Sequence, residues 1–256
     1  MKIAILGAGA MGGAIASGLV ESGFNPSDIS ISNPHPDKLK PFAEMGLTTL
    51  NSNVEACRNA DLVFIAVKPW ILPGVVAEIK DSLTYASQAV SVVAAGVTGA
   101  NLKEWFEKDG ETPVISLSMP NTAVRLRQSM TFVVPVTGND TNPDVELYRR
   151  LGDVSVIEER LLPAATALAS CGIAYALRYV RAATEGGVQL GFRAAEAQRI
   201  VAQTVKGAAA LLESGAHAEA EIDKVTTPGG LTIRGLNAME QAGFTAAVIN
   251  GLTSSK

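Results

Sequence analysis

The chain has 256 residues, 47% apolar and 18% charged, enough to bury a sizeable core and long enough for one large or two medium domains. Its net charge of −4, with no block of like charges, argues against a nucleic-acid partner, and no apolar run reaches the length of a membrane span. Two cysteines, Cys57 and Cys171, build neither a disulfide framework nor a zinc site, so a cytoplasmic protein with no bound metal is expected.

Lys2-Ile3-Ala4-Ile5-Leu6 is a run of β-branched and aliphatic residues and reads as a buried parallel strand, leaving no room ahead of it for a leader peptide. Gly7-Ala8-Gly9-Ala10-Met11-Gly12 follows at once, and Met11, Ile15 and Leu19 then mark one face of a helix. Strand, G-x-G-x-x-G and helix, in that order, is the setting of a dinucleotide fingerprint rather than of an ordinary glycine-rich turn. Gly7 would make the tight turn, Gly9 would let the backbone approach a pyrophosphate, and Gly12 would let the helix lie close on the sheet. Free N–H groups and the helix dipole meet the ligand's charge.

Asp28 to Ser32 reads as the second strand. Its end usually carries an acid for the ribose 2′-hydroxyl of NAD, and here Asn33 stands there instead. Ser32, Asn33, His35 and Lys38 offer donors to a phosphate, which favours NADP(H) and leaves NAD(H) as the lesser cofactor; the plainer alternative is a turn at Asn33-Pro34-His35-Pro36 with a solvated Lys38. Asn51-Ser52-Asn53 reads as a helix start. Asp61 to Val67 is the next buried strand, stopped by Pro69, so Lys68 falls at its ligand-facing carboxyl end. Ala89 to Ala94 is a further strand ending in Ala95-Gly96, small residues that leave room for a bound ring. Pro113 to Leu117, Thr131 to Val136 and a helix at Pro143 to Leu151 complete the alternation of a doubly wound parallel sheet.

From Glu158 the texture changes. Apart from a short strand near Val154 to Ile157, the rest reads as helix: Leu161 to Leu190, with a close contact at Gly186-Gly187, then Phe192-Arg193-Ala194 opening a second helix to Ser214-Gly215. Helices apolar on nearly all sides need more partner surface than this segment offers, and a homodimer interface supplies it. Farther on, Thr227-Pro228-Gly229-Gly230-Leu231-Thr232-Ile233 places two glycines before a new helix. Such a loop either binds an anion such as a carboxylate or is simply a capped helix–helix turn; the residues alone leave both open.

The chain resembles the pyrroline-5-carboxylate reductases over essentially its whole length. The resemblance is carried by the Gly7 to Gly12 loop, Asn53, Ala66-Val67-Lys68-Pro69, Ala94-Ala95-Gly96-Val97, Met119-Pro120-Asn121-Thr122, Ala238-Met239-Glu240, Gly243-Phe244 and above all Thr227 to Ile233. It implies an α/β architecture, with an N-terminal Rossmann-type doubly wound sheet over 1–160 and an all-α dimerisation and substrate-binding domain over 161–256. It implies a homodimer, in some members a decamer of five dimers. The implied reaction is hydride transfer from NAD(P)H to the cyclic imine of 1-pyrroline-5-carboxylate, giving L-proline. Gly230 and Leu231 would offer backbone N–H groups to the substrate carboxylate, with Thr232 as the catalytic hydroxyl on the ring nitrogen. Gly7, Ala8, Gly9, Ala10, Met11, Gly12, Asn33, Asn53, Ala66, Val67, Lys68, Pro69 and Ala95 would hold the cofactor.

Three departures stand out. Ser170-Cys171-Gly172-Ile173-Ala174-Tyr175 replaces the family's Gly-Ser-Gly-Pro-Ala-Tyr, Leu231 stands where Thr or Ala is usual, and Leu117-Ser118 replaces an Arg before Met119. They bear on which ring is accepted, so a divergent imine reductase is one alternative. A β-hydroxyacid dehydrogenase would need a lysine with an asparagine one turn on, but Lys206 is followed by Ala210. A non-catalytic dinucleotide-binding protein is the third.

Overall fold

In the computed structural model, which describes residues 1–255, the chain divides into two compact units, Met1–Ser170 and a second beginning at Cys171. The first is built on eight strands: β1 (Ile3–Leu6), β2 (Ile29–Ser32), β3 (Thr48–Leu50), β4 (Leu62–Ile65), β5 (Ala89–Val92), β6 (Val114–Met119), β7 (Ser129–Pro135) and β8 (Gly152–Val156). Its helices are α1 (Ala10–Glu21), α2 (Lys40–Glu44), α3 (Asn53–Cys57), α4 (Leu72–Ile79), α5 (Gly99–Phe106), α6 (Pro143–Arg149) and α7 (Leu162–Ala165).

The sheet order is β3-β2-β1-β4-β5-β6-β7-β8. Successive residues of a strand feed opposite faces. Ala4, Leu6, Val63 and Ile65 pack with Leu72, Val76, Leu102 and Phe106, while Ile3, Ile5, Leu62 and Phe64 pack with Ile15, Leu19, Val145 and Tyr148. Every residue of β1, β4 and β5 is buried, which is why β1 and β4 read as unbroken apolar runs and β5 as one broken only by Ser91. The chain moves outward from β1 to β3 and then returns to pair β4 beside β1, making a topological switch point between β1 and β4.

Two features of the sheet differ from expectation. β3 is a three-residue edge strand that the sequence reading leaves out. The sheet is also not wholly parallel, because β7 runs antiparallel to β6, pairing Met119 with Phe132. The reason is length: a parallel crossover needs a dozen or more residues, and the short connection Pro120–Gln128 carries only a 3-10 turn at Thr122–Leu126. Arg127, at φ 58, turns the chain back.

Between β5, β6 and α6 lies a buried polar cluster. Asp144, 1% exposed, accepts from Ser116 Oγ at 3.0 Å and Ser118 Oγ at 3.1 Å. Ser91 Oγ lies 3.0 Å from Ser118 Oγ and 3.4 Å from the Tyr148 hydroxyl. Burial holds the Asp144 carboxyl above the usual carboxylate range, although the serine hydroxyls pull the other way.

The helical run Glu159–Gln189 contains α7 and then a π-helical segment, Thr166–Cys171, where an uninterrupted α-helix is expected. The π segment covers the start of the Ser170-Cys171-Gly172-Ile173 departure, and Ser170 Oγ is buried without a hydrogen-bond partner among the described residues. This run also corrects the expectation that no apolar stretch reaches span length. At mean hydropathy 1.3 over its best window it is long and apolar enough to cross a membrane, by length and composition alone. Small Ala, Ser and Gly interleave its larger apolar residues, so no unbroken apolar run betrays it in the sequence.

The second unit comprises α8 (Gly172–Gln189), α9 (Ala194–Glu213), α10 (Ala218–Lys224), α11 (Leu231–Gln241) and α12 (Phe244–Thr253). A Cβ on Gly187 would lie 2.9 Å from Ala197 Cβ, so this glycine allows α8 and α9 to approach, whereas a Cβ on Gly186 would meet open space. The Tyr175 hydroxyl reaches back to Gly251 O at 3.3 Å.

Candidate active site

The floor of the site is made by glycines with distinct constraints. Gly7 leaves β1 at φ +105 and donates its N–H to Ser32 O at 2.9 Å. A Cβ there would lie 2.7 Å from Ala66 O, and one on Gly12 would lie 2.0 Å from Gly7 O. Both positions are closed to any other residue, and they bring turn, β4 end and α1 together. Gly9 is the opposite case, since a Cβ on it would meet nothing within 4 Å. It caps α1 without a side-chain bond, and no acid lies in the first turn. The first N–H groups of a 12-residue helix therefore face open space with the positive dipole end behind them.

That space is a cleft of about 590 Å³ at the carboxyl ends of β1, β2, β4 and β5, where an α/β sheet places its ligand. Of the residues expected there, Gly7, Gly9, Ala10, Met11, Asn33, Asn53, Ala66, Val67, Lys68, Pro69 and Ala95 line it. Ala8 and Gly12 do not: Ala8 is 8% exposed and packs into the core beneath, and Gly12 sits under the Gly7 carbonyl. Ile71 and Val75, one helical turn apart, and Val93 line the cleft too and are absent from the sequence-based set. Their signal is faint, an apolar pair just past Lys68-Pro69 that reads equally well as core.

At the β2 end, Asn33 is buried and its Oδ1 accepts from the His35 N–H at 3.0 Å, so its Nδ2 is the group left to offer, as a donor. Ser32 Oγ donates to Asn53 Oδ1 at 2.7 Å, and Asn53 Nδ2 donates to Glu78 Oε2 at 2.8 Å. Exposed His35 and Lys38 stand on the same rim. Lys68 Nζ lies 5.9 Å from the centre of the exposed Trp70 ring. At the end of α3, burial pushes the Cys57 thiol up to about 12, with the Glu78 carboxylate adding to it, so this cysteine is an inert core residue. An open glycine backbone, a free helix N-terminus and donors at the β2 end fit a dinucleotide phosphate chain.

The second candidate feature lies in the second unit. Thr227 to Gly230 form a turn with Gly229 at φ +71, closed by Gly230 N–H to Thr227 O at 3.0 Å. A Cβ on Gly230 would lie 2.5 Å from Thr227 Oγ1. The Gly230 N–H, expected to face a ligand, is thus spent on the turn, and the free donors begin with Leu231. Gly230 is the N-cap of α11 and no side chain caps it, so Thr232 does not serve as a cap. Thr232 and Leu231 are exposed, and Arg234 Nη2 donates back to Gly229 O at 3.0 Å, tying the helix start to the turn.

Residues 159–256 match the family model for pyrroline-5-carboxylate reductase dimerisation, and residues 2–95 match that of coenzyme F420-dependent NADP oxidoreductases. The N-terminal match supports a nicotinamide dinucleotide as the cofactor. Pyrroline-5-carboxylate reductase 1 of Dictyostelium discoideum is 38% identical over 99% of this chain, which spans 48%, about half, of that relative's length. The pyrroline-5-carboxylate reductase of Escherichia coli is 36% identical over 98% of this chain and 94% of its own. A solved pyrroline-5-carboxylate reductase from Coxiella burnetii superposes with a TM-score of 0.89 at 31% identity, covering 99% of this chain and 95% of that one. The chain belongs to the pyrroline-5-carboxylate reductase family.

Proposed function

We propose that this protein reduces 1-pyrroline-5-carboxylate to L-proline, with NADPH as preferred hydride donor and NADH as the lesser one. The observation that carries this reading is the N-terminus of α11, where Gly229 and Gly230 shape a bare helix start beside the Thr232 hydroxyl. It stands on a chain whose other unit offers the glycine-floored cleft.

When bound, the reduced nicotinamide supplies the hydride. An iminium carbon is already electrophilic, so the chain's part is to bind and orient rather than to provide an acid–base pair. The N–H groups of Ala10 and Met11 hold the pyrophosphate against the dipole of α1. Asn33 Nδ2, His35 and Lys38 meet the ribose phosphate. Leu231 and Thr232 offer N–H groups to the substrate carboxylate, with Gly230 setting the turn, and the Thr232 hydroxyl bonds the ring nitrogen. Val67, Lys68, Pro69 and Ala95 line the cofactor cleft.

The working unit is a homodimer formed through the region from residue 161 on, and the decamer of five dimers is its proposed extension. The domain division at 160/161 belongs to the same reading; it falls just after the start of the dimerisation match at residue 159 and ten residues before the contact boundary at Ser170. A cytoplasmic, reducing setting accords with two free cysteines.

A substrate panel tests the reaction: pyrroline-5-carboxylate, a six-membered cyclic imino acid and a β-hydroxyacid, each with both nicotinamide cofactors. Fastest turnover of NADPH with pyrroline-5-carboxylate is expected. Preference for the larger ring or the hydroxyacid would replace this reading, and no turnover with any would leave a binding protein.

A further inference from the structure

We propose that Glu78, which lies behind the cleft wall, is a positioning residue that fixes the donor and acceptor polarity of the cofactor site through Asn53. The inference rests on reading the cleft as the NADPH site. Asn53 is the first residue of α3, yet its side chain does not serve that helix, because Ser52 caps it by accepting from the Glu55 N–H at 3.2 Å. The Asn53 amide spans two partners from different elements instead: Ser32 Oγ at the end of β2, at 2.7 Å, and Glu78 Oε2 on α4, at 2.8 Å. Asn53 and Ser32 line the cleft, and Glu78 does not.

The two neighbours of the amide are unequal. A serine hydroxyl donates or accepts and would serve either orientation of the amide, whereas an ionised carboxylate only accepts. Turning the amide over would set Asn53 Oδ1 against Glu78 Oε2, two acceptors with no proton between them. Glu78 therefore decides the orientation, and Ser32 follows by giving its proton to Oδ1. One consequence reaches the cleft wall: the second N–H of Asn53 remains as a donor, while Ser32, itself fully buried, has its proton committed to Asn53 Oδ1. A donor lining the same cleft as Asn33 suits a phosphate. An acid thus contributes to phosphate binding from behind the wall, where it orders a neutral amide instead of confronting the anion.

The test compares Glu78→Gln, whose amide oxygen can still accept from Asn53, with Glu78→Met, which keeps the length and cannot. Titration of the assembled enzyme with NADPH is read beside kcat at saturating NADPH. Glu78→Gln should bind within about twofold of the wild type, while Glu78→Met should bind about 3- to 10-fold more weakly, modest because the carboxylate is exposed. Saturated kcat should be unchanged in both. In an Asn53→Ala background, Glu78→Met should cost nothing further. Glu78→Ala serves as a second acceptor-free variant, should Glu78→Met melt early. Equal behaviour of the Gln and Met variants, whether both unchanged or both tighter through lost charge, would overturn the inference. A wild type that fails to bind NADPH would instead overturn the cofactor reading beneath it.

Discussion

The two units bury their apolar residues to opposite extents. In Met1–Ser170 whole strands are dry, and Ile5, Leu6, Leu62, Phe64 and Ile65 are each 0% exposed. From Cys171 onward, Ala197 is the one buried apolar residue among those described, while Leu177 is 61% and Leu190 82% exposed. Both α8 and α9 are nevertheless long, regular and rich in apolar residues. Periodicity shows that a helix face will be covered, but not by what. In the first unit the cover is the chain's own sheet and helices. In the second it has to come from another surface, and the match of residues 159–256 to a dimerisation domain supplies one.

The contrast is broken most severely at α8. Leu177→Glu would place a charge in the proposed interface twice per dimer, each copy forfeiting about 1.5–3 kcal/mol of burial. The dimer dissociation constant should rise by about 10²- to 10⁴-fold in sedimentation equilibrium, with the first unit's fold intact. An unchanged dimer would move the interface elsewhere.

At α11 the expected effect is smaller and purely chemical. Thr232→Val keeps the β-branched shape and removes the hydroxyl from an exposed position that caps nothing. The loss should be about 10- to 150-fold in kcat/KM, from a hydrogen bond worth roughly 1.5–3 kcal/mol, with NADPH affinity and melting temperature unchanged. Steady-state kinetics showing wild-type turnover would remove Thr232 from the reaction.

In the first unit, Asn33→Asp places a carboxylate where an amide donor lines the proposed ribose end of the cleft. Cofactor preference should reverse toward NADH by about tenfold, one like-charge contact of ~1.4 kcal/mol. Competition binding that still favours NADPH would show that His35 and Lys38 decide the matter alone.

The smallest effect concerns Asp144. Its folded pKa is raised by burial, so the neutral form is the one the fold prefers. That contribution is fully present below the unfolded value of about 4 and is lost as pH rises through the folded pKa. Stability of the wild type relative to Asp144→Asn should therefore fall as pH climbs from about 4, with a slope of at most ~1.4 kcal/mol per pH unit. Parallel stability curves for the two proteins would mean that Asp144 titrates as it does in the unfolded chain.

What could be read in the sequence follows the same divide between local and distant causes. The glycine fingerprint, the buried strands and the helix start at Ser52 are local, and each stands where its residues dictate. β3 escaped because Thr48-Thr49-Leu50 is too short and too exposed for an alternating pattern. The reversal of β7 was legible in principle from the short Pro120–Gln128 connection, which counting strands alone overlooks. The π segment carries no compositional mark, since Ala-Leu-Ala-Ser suits an α-helix equally well. The Asn53–Glu78 bond joins residues 25 apart in sequence, a pairing that only the packing of α3 on α4 creates. At Gly230 the local pattern was right about the turn, but it could not tell which N–H the turn would consume.

The most direct measurement is a single turnover of the assembled enzyme, loaded with NADPH carrying deuterium as the transferred hydride and mixed with pyrroline-5-carboxylate. The expected product is L-proline with one deuterium on the ring carbon of the former C=N bond, formed in step with loss of bound NADPH. Bound NADPH that persists beside unreacted imine would contradict the assignment of this chain as a reductase.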